Sequence, residues 1–243
     1  MLKPTYNKFI AAARKQFCVL IDPDKHDSSS LKQFVEQLSR TNQVDYLLVG
    51  GSLLRKQNFE STIHFLKAET DIPVIIFPGN TMQISASADA ILLLSLISGR
   101  NADMLIGSHV LAAPLIKEAQ LETIATGYML IDGGQSTAVQ YMSNTFPIPS
   151  GKPEIAAATA LAGEMLGMQL IYMDAGSGAL FPISAQMIAA VKSEINIPLI
   201  VGGGIKDAKS VTAACKAGAD IIVVGNLLEK KPEMMRELAD AMV

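Results

Sequence analysis

At 243 residues, 49% of them apolar, the chain is long enough to bury a sizeable core and suits one large α/β domain spanning residues 1–243. Its net charge of −3 and pI near 5.6 provide no basic field for nucleic acid, so any phosphate must be held locally. The longest apolar run, residues 90–97, is far too short for a transmembrane segment.

The N-terminal stretch mixes Lys3, Lys8, Arg14 and Lys15 with apolar positions, so no signal peptide is expected. Residues 6–14 read as a first helix. The apolar run 17–21 reads as a buried strand that stops at Asp22-Pro23-Asp24-Lys25-His26-Asp27. Ser28 to Ser30 can cap a helix over residues 31–40, whose Leu31, Phe34, Val35 and Leu38 share one face. The second strand, 45–49, ends in Gly50-Gly51-Ser52, and residues 53–68 read as a helix. The third strand, 73–77, ends at Pro78-Gly79-Asn80.

Only a short polar stretch separates that turn from the fourth strand, 90–95. A parallel crossover normally needs a dozen or more residues and usually a helix. One outer helix is therefore expected to be missing or vestigial here, which would open the side of the ring. A helix over 110–120 leads to a strand over 123–131, ending at Asp132-Gly133-Gly134-Gln135-Ser136. Residues 137–153, with Pro147, Pro149 and Pro153, read as a functional loop or interface flap. An alanine-rich helix over 154–166 precedes the sixth strand, 170–173.

The last third carries the clearest pattern. Residues 197–201 form an apolar run ending in Gly202-Gly203-Gly204, Asp207 opens an amphipathic segment, and the run 221–224 ends in Gly225-Asn226. Glycines between strand and helix let the backbone turn tightly and approach an anion. Two such turns match the phosphate site that barrel enzymes build after their last two strands. Taken singly, each is as readily a plain tight turn. Eight apolar runs alternating with helical segments favour a closed (β/α)8 TIM barrel over an open doubly wound sheet. No GxGxxG follows the first strand, which argues against a dinucleotide site.

In such a barrel the chemistry sits at the C-terminal strand ends. The polar residues collected there are Asp22, Asp24, Lys25, Ser52, Asn80, Asp132, Ser136, Asp174, Ser177 and Asn226. Asp22 with Asp24 offers either a Mg²⁺ site or a capped Asp-Pro turn. Ser52 could add an oxygen ligand or cap a helix. Asp174, before a Gly-Ser-Gly turn, suits a general base or a cap for the turn amides. Tyr172 shares its side of the strand and could equally fill the barrel. Cys18 and Cys215 lack CxxC spacing and read as reduced packing residues, which implies a cytoplasmic protein. His26, His64 and His109 lack ligand spacing, and His64 falls in mid-helix, so no zinc site is expected.

The segments Leu20-Ile21-Asp22-Pro23-Asp24-Lys25, Val49-Gly50-Gly51-Ser52, Phe77-Pro78-Gly79-Asn80, Gly127 through Gly134, Tyr141-Met142-Ser143-Asn144-Thr145, Tyr172 through Ala179 and Val201 through Lys206 together resemble the geranylgeranylglyceryl phosphate synthase family, including its bacterial members. The likeness runs over nearly the whole chain in order. It implies an Mg²⁺-dependent prenyltransferase that joins sn-glycerol 1-phosphate to a polyprenyl diphosphate and releases diphosphate. Carried over, Asp22 and Ser52 are the metal positions. Glycerol phosphate is held by Tyr172, Met173, Asp174, Ala175, Gly176, Ser177 and Gly178, with Gly203, Gly204, Gly225 and Asn226. The IDGG and YMSNT segments are similar to the branch whose members form larger oligomers, which implies a homo-oligomer.

Two positions depart from the family. Asp174 stands where glutamate is usual, so its carboxylate is one methylene shorter. Leu20 stands where some relatives have a phosphate-binding lysine, and Lys25 is the candidate replacement. The residues by themselves leave two rivals open: another phosphate-binding barrel enzyme, of the sugar-phosphate isomerase or thiamine-phosphate synthase type, and a non-catalytic polyol-phosphate-binding barrel.

Overall fold

The computed structural model describes residues 4–242 of the chain. The apolar runs form eight parallel strands paired in chain order, and β1 (Gln16–Ile21) closes the ring against β8 (Ile221–Val224). Between them lie β2 (Tyr46–Val49), β3 (Val74–Ile76), β4 (Ala90–Leu96), β5 (Glu122–Leu130), β6 (Leu170–Asp174) and β7 (Leu199–Gly202). This is the (β/α)8 barrel that the pattern of runs predicts. Alternation along each strand divides the core into two layers. Cys18, Leu48, Ile75, Leu92, Tyr172 and Ile200 fill the barrel, while Val19, Val49, Ile76, Ile171 and Val201 face the helices.

The acidic residue that precedes several strands has a backbone task. Asp45 accepts from the Phe17 amide at 2.8 Å, Asp89 from Val74 at 2.7 Å and Asp220 from Leu199 at 2.9 Å. Each carboxylate thus satisfies a strand-start N–H that the sheet leaves unpaired.

Helix α1 (Pro4–Ala11) closes the N-terminal mouth of the barrel. Buried Glu122 accepts from the amides of Thr5 and Tyr6, both at 2.9 Å, and the Phe9 ring lies 4.3 Å from that of Tyr46. Helix α2 (Ser28–Thr41) buries Leu31, Phe34, Val35 and Leu38 as expected, but its cap is Asp27 rather than the serines. Asp27 accepts from the Ser30 amide at 2.8 Å while Ser30 Oγ accepts from the Asp27 amide at 3.0 Å, a reciprocal pair that fixes the start.

Helix α3 (Phe59–Glu69) begins later than residue 53, where the sequence places it. The amides of Arg55 and Lys56 donate instead to the Asp24 carboxylate, at 2.6 and 2.9 Å, and hold residues 53–58 out of helix. Residues 77–89, between β3 and β4, contain no helix, so the expected gap in the outer ring is present. A π-helical turn, Asp103–Gly107, leads into α4 (Ser108–Glu118).

The segment read as a loop over 137–153 carries a short helix, α5 (Ala138–Ser143), and Ile148 in it pairs with Ile131. Helix α6 (Pro153–Met165) packs through Ala156, Ala157, Ala160 and Gly163. The remaining helices are α7 (Ala185–Glu194), α8 (Ala208–Lys216), α9 (Asn226–Lys230) and α10 (Met235–Asp240). No helix among the described residues is long and apolar enough to cross a membrane.

Glu122→Ala leaves two α1 amides without their buried acceptor. It should cost about 1–3 kcal/mol in urea unfolding and increase amide exchange in residues 4–11. Unchanged exchange there would show that α1 docks without this carboxylate.

Candidate active site

The C-terminal ends of the strands surround one cavity of about 1000 Å³. Asp22 follows β1, Gly50 to Ser52 follow β2, and Phe77 to Asn80 follow β3. Asp174 ends β6, Gly203 and Gly204 follow β7, and Gly225 and Asn226 follow β8; all of these line that cavity. The cavity has a polar end at the β6 to β8 turns and an aliphatic arm beside β4. In the arm, Leu92 and Leu94 come from the barrel side of β4, and Ile91 and Leu93 from its outer side. Ala112 and Ile116 of α4 form the opposite wall. The space therefore passes over β4 and out of the barrel where no helix covers the strand.

At the polar end the turns after β6 and β7 approach until no side chain fits between them. Gly203 has φ +78°, and a Cβ there would lie 2.5 Å from Asp174 Oδ1 and 2.7 Å from the Ala175 and Gly176 amides. Ser177 Oγ accepts from Asn226 Nδ2 at 2.7 Å, which ties the β6 turn to the β8 turn. Lys206, which also lines the cavity, is held by its bond to the Leu180 carbonyl at 2.9 Å.

Asp174 lies at the floor of this end and is 9% exposed. Its Oδ1 accepts from the Gly176 amide at 2.7 Å and its Oδ2 from the Tyr128 hydroxyl at 2.6 Å. Of the two roles open to it from sequence, the cap for the turn is present, and the same carboxylate lines the cavity. A carboxylate has about four acceptor positions, so two remain. Burial raises the Asp174 pKa above its ordinary 3.8, and the bonds from Tyr128 and Gly176 partly offset that rise. Burial, with the charge of Asp174, pushes Tyr128 and Tyr172 far above the usual phenol range, so both stay protonated. The Phe77 ring stacks on Tyr172 at 5.2 Å and Tyr128 meets Tyr172 edge-on at 5.6 Å, so the two phenols are fixed by packing.

Asp22 and Ser52 both line the cavity, just past the ends of the paired strands β1 and β2, and a Cβ at Gly51 would sit 3.3 Å from Asp22 Oδ1. Asp22 Oδ1 accepts from the Asp24 amide at 3.0 Å, and its Oδ2 lies 3.6 Å from Lys25 Nζ. One carboxylate and one hydroxyl are hard oxygen donors. They fit Mg²⁺, which keeps several waters and binds through one or two carboxylates plus substrate phosphate oxygens. No group of three His, Cys, Asp or Glu residues among the described residues could form an all-protein metal cage. Gln83, buried at 2% exposure, supports this part of the cavity by accepting from the Gly51 and Gly79 amides and donating to the Gly51 carbonyl.

Of the strand-end residues singled out by sequence, Asp22, Lys25, Ser52, Asn80, Asp174, Ser177 and Asn226 meet in the cavity. Asp24 does not, because its carboxylate is taken by the Arg55 and Lys56 amides. Asp132 and Ser136 are exposed away from it, with Asp132 bonding the Gly134 amide. Met173 and Ala175 belong to the outer core facing the helices, whereas Tyr172, Gly176, Ser177 and Gly178 line the cavity. His26 packs on Phe34, His64 pairs with Glu60 at 3.2 Å and His109 with Ser95 at 3.3 Å, and the three never converge. Sequence reasoning missed Tyr128, although its parity along β5 places it inside the barrel. It also missed Gln83 and Glu229, for which no local pattern exists.

The PcrB family pattern matches residues 10–242. The chain is 52% identical over 239 residues to the geranylgeranylglyceryl phosphate synthase of Chitinophaga pinensis, covering 97% of this chain and 94% of that one. It is 39% identical over 221 residues to the enzyme of the same name from Methanosphaera stadtmanae, covering 91% and 90%. Among solved structures it is similar to (S)-3-O-geranylgeranylglyceryl phosphate synthase from Thermoplasma acidophilum, which was crystallised with its substrate sn-glycerol-1-phosphate. That likeness has a TM-score of 0.93 at 30% identity, over 100% of this chain and 99% of the other. Thiamine phosphate pyrophosphorylase from Pyrococcus furiosus shares the fold alone, at a TM-score of 0.58 and 12% identity over 93% and 95% of the two chains. A barrel with this cavity, matched to the family pattern from residue 10 to residue 242, places the chain in the PcrB family.

Proposed function

We propose that the chain is a geranylgeranylglyceryl phosphate synthase, a single prenyltransferase domain. It transfers the geranylgeranyl group of geranylgeranyl diphosphate to the C3 hydroxyl of sn-glycerol 1-phosphate. The observation that carries this reading is one cavity that joins a glycine-lined polar end and a buried carboxylate to an aliphatic arm leaving the barrel. A sugar-phosphate isomerase would need the first two and not the third.

Gly203, Gly204, Gly225, Asn226 and Ser177 hold the phosphomonoester, and Tyr172, Gly176 and Gly178 flank the glycerol. Asp174 takes the proton of the C3 hydroxyl as its oxygen attacks the allylic carbon, and the carbon–oxygen bond to diphosphate breaks with its electron pair. The ether and free diphosphate are the products. Tyr128, donating to Asp174 Oδ2, keeps the carboxylate oriented and favours its charged form. Asp22 and Ser52 are the residues that would hold Mg²⁺, which when bound neutralises charge on the departing diphosphate. Ile91, Leu93 and Ile116 enclose the hydrocarbon tail and keep it from water.

Exposed Val110, Leu111, Tyr141 and Phe146 support a homo-oligomer, which sedimentation velocity tests. A chain that stays monomeric at every concentration rejects it. Buried Cys18 and Cys215, not joined by a disulfide, support a cytoplasmic location.

Incubation with labelled sn-glycerol 1-phosphate, geranylgeranyl diphosphate and Mg²⁺ should give an extractable ether, and no ether with any prenyl length rejects the transferase. Asp22→Asn should lower turnover about 100-fold or more while leaving glycerol phosphate affinity nearly unchanged. Equal losses in both would reject the metal role. Gly203→Val, with a β-branched side chain at positive φ against Asp174, should abolish glycerol phosphate binding in calorimetry.

The pH profile of kcat/KM follows from Asp174. Its raised pKa means that the charged base is lost as pH falls, so the acid limb should lie above 3.8. Tyr128→Phe removes a bond that favours the charged form and should move that limb to higher pH. A limb that moves down, or not at all, would separate Tyr128 from the base.

A further inference from the structure

Between the Asp22 loop and the β8 turn lies a charged pair, Lys25 and Glu229, to which the reaction outlined above gives no task. The Lys25 ammonium donates to Asn226 Oδ1 at 2.6 Å and to Glu229 Oε2 at 2.8 Å. Its distance to Asp22 Oδ2 is 3.6 Å, too long for a hydrogen bond. An ammonium carries three donors, so two are used and the third is left for another acceptor.

The ammonium is held, not loose. The Glu229 side chain is 7% exposed, and Lys25, Asn226 and Glu229 all line the cavity. Because Asn226 presents Oδ1 to Lys25, its Nδ2 is turned toward Ser177, at the polar end. One cation thus sets the orientation of a side chain in the cradle and stands beside it with a proton to give. Lys206 and Lys230 also line the cavity, but Lys206 bonds the Leu180 carbonyl, and among the described residues neither donates to a cradle side chain, as Lys25 does to Asn226. Asp22, whose Oδ2 lies 3.6 Å from the ammonium, disfavours an anion beside itself while no metal is bound, so in metal-free protein an oxyanion gains most on the cradle side of Lys25.

We infer that Lys25 is a ligand of the phosphomonoester: its third ammonium proton bonds an oxygen of the phosphate held at Gly203, Gly204 and Asn226, and Glu229 is the positioning residue that keeps it there. This rests on reading the polar end as the glycerol phosphate cradle.

Calorimetry in EDTA with sn-glycerol 1-phosphate, and separately with inorganic diphosphate, tests it without metal and without turnover. Lys25→Met should weaken glycerol phosphate binding about 10- to 100-fold and leave diphosphate binding nearly unchanged. Lys25→Arg, which keeps the charge, should recover most of the affinity. Glycerol phosphate binding equal to wild type in Lys25→Met, or a loss confined to diphosphate, overturns the assignment. A reading that needs no variant is the ¹⁵N resonance of the Lys25 ammonium in the wild-type chain, which glycerol phosphate should shift; no shift also overturns it. Ether formation with Lys25 dispensable for glycerol phosphate removes Lys25 and keeps the transferase. Glycerol phosphate binding that requires Lys25, without ether from any prenyl diphosphate, keeps Lys25 and removes the transferase.

Discussion

The close approach of the β6 and β7 turns around the Asp174 carboxylate is the constraint on which the rest of the site depends. The carboxylate is buried, yet it stays at the cavity floor because the Gly176 amide and the Tyr128 hydroxyl hold its two oxygens. Moving either turn outward would free the carboxylate and widen the polar end at once. A glycine at 203 is what lets the two backbones sit this close, so the geometry of the base and of the cradle is set by one contact. The packed aromatic group of Phe77, Tyr128 and Tyr172 carries that constraint across the barrel to the β3 turn.

Charge is distributed along the rim in the same economical way. Of the carboxylates near the mouth, Asp24 is occupied with backbone amides of residues 55 and 56, and Glu229 with Lys25. Asp22 keeps an oxygen directed at the cavity, without a hydrogen bond from Lys25. The acids thus separate into those that shape loops and those that face ligand, although their spacing in the chain gives no hint of the division.

The ring of strands was legible in the sequence because parallel strands buried on both faces read as continuous apolar runs. The gap in the outer ring was equally legible, since residues 81–89, all that remains beyond the Pro78-Gly79-Asn80 turn, are too few and too polar for a returning helix. Boundaries set by distant partners were not. Residues 53–58 have a helical pattern, but the Asp24 carboxylate, some thirty positions earlier, takes the Arg55 and Lys56 amides away from a helix. Met173 and Ala175 illustrate the same limit, because a contiguous motif on a strand necessarily alternates between the cavity and the helical layer. Tyr128 and Glu229 act through contacts 46 and more than 200 positions away, and Gln83 joins nearby Gly79 to Gly51, 32 positions away, so no local periodicity marks them.

The uncovered stretch of β4 has a thermodynamic side. Elsewhere in the ring the chain supplies its own apolar cover for the outward face of each strand. Beside Ile91 and Leu93 it leaves that layer to α4 and to whatever occupies the trench between them. A hydrocarbon guest seated there is therefore a temporary piece of the protein's interior, and the shape of the vacant wall, rather than any polar group, decides how much guest the barrel can accept.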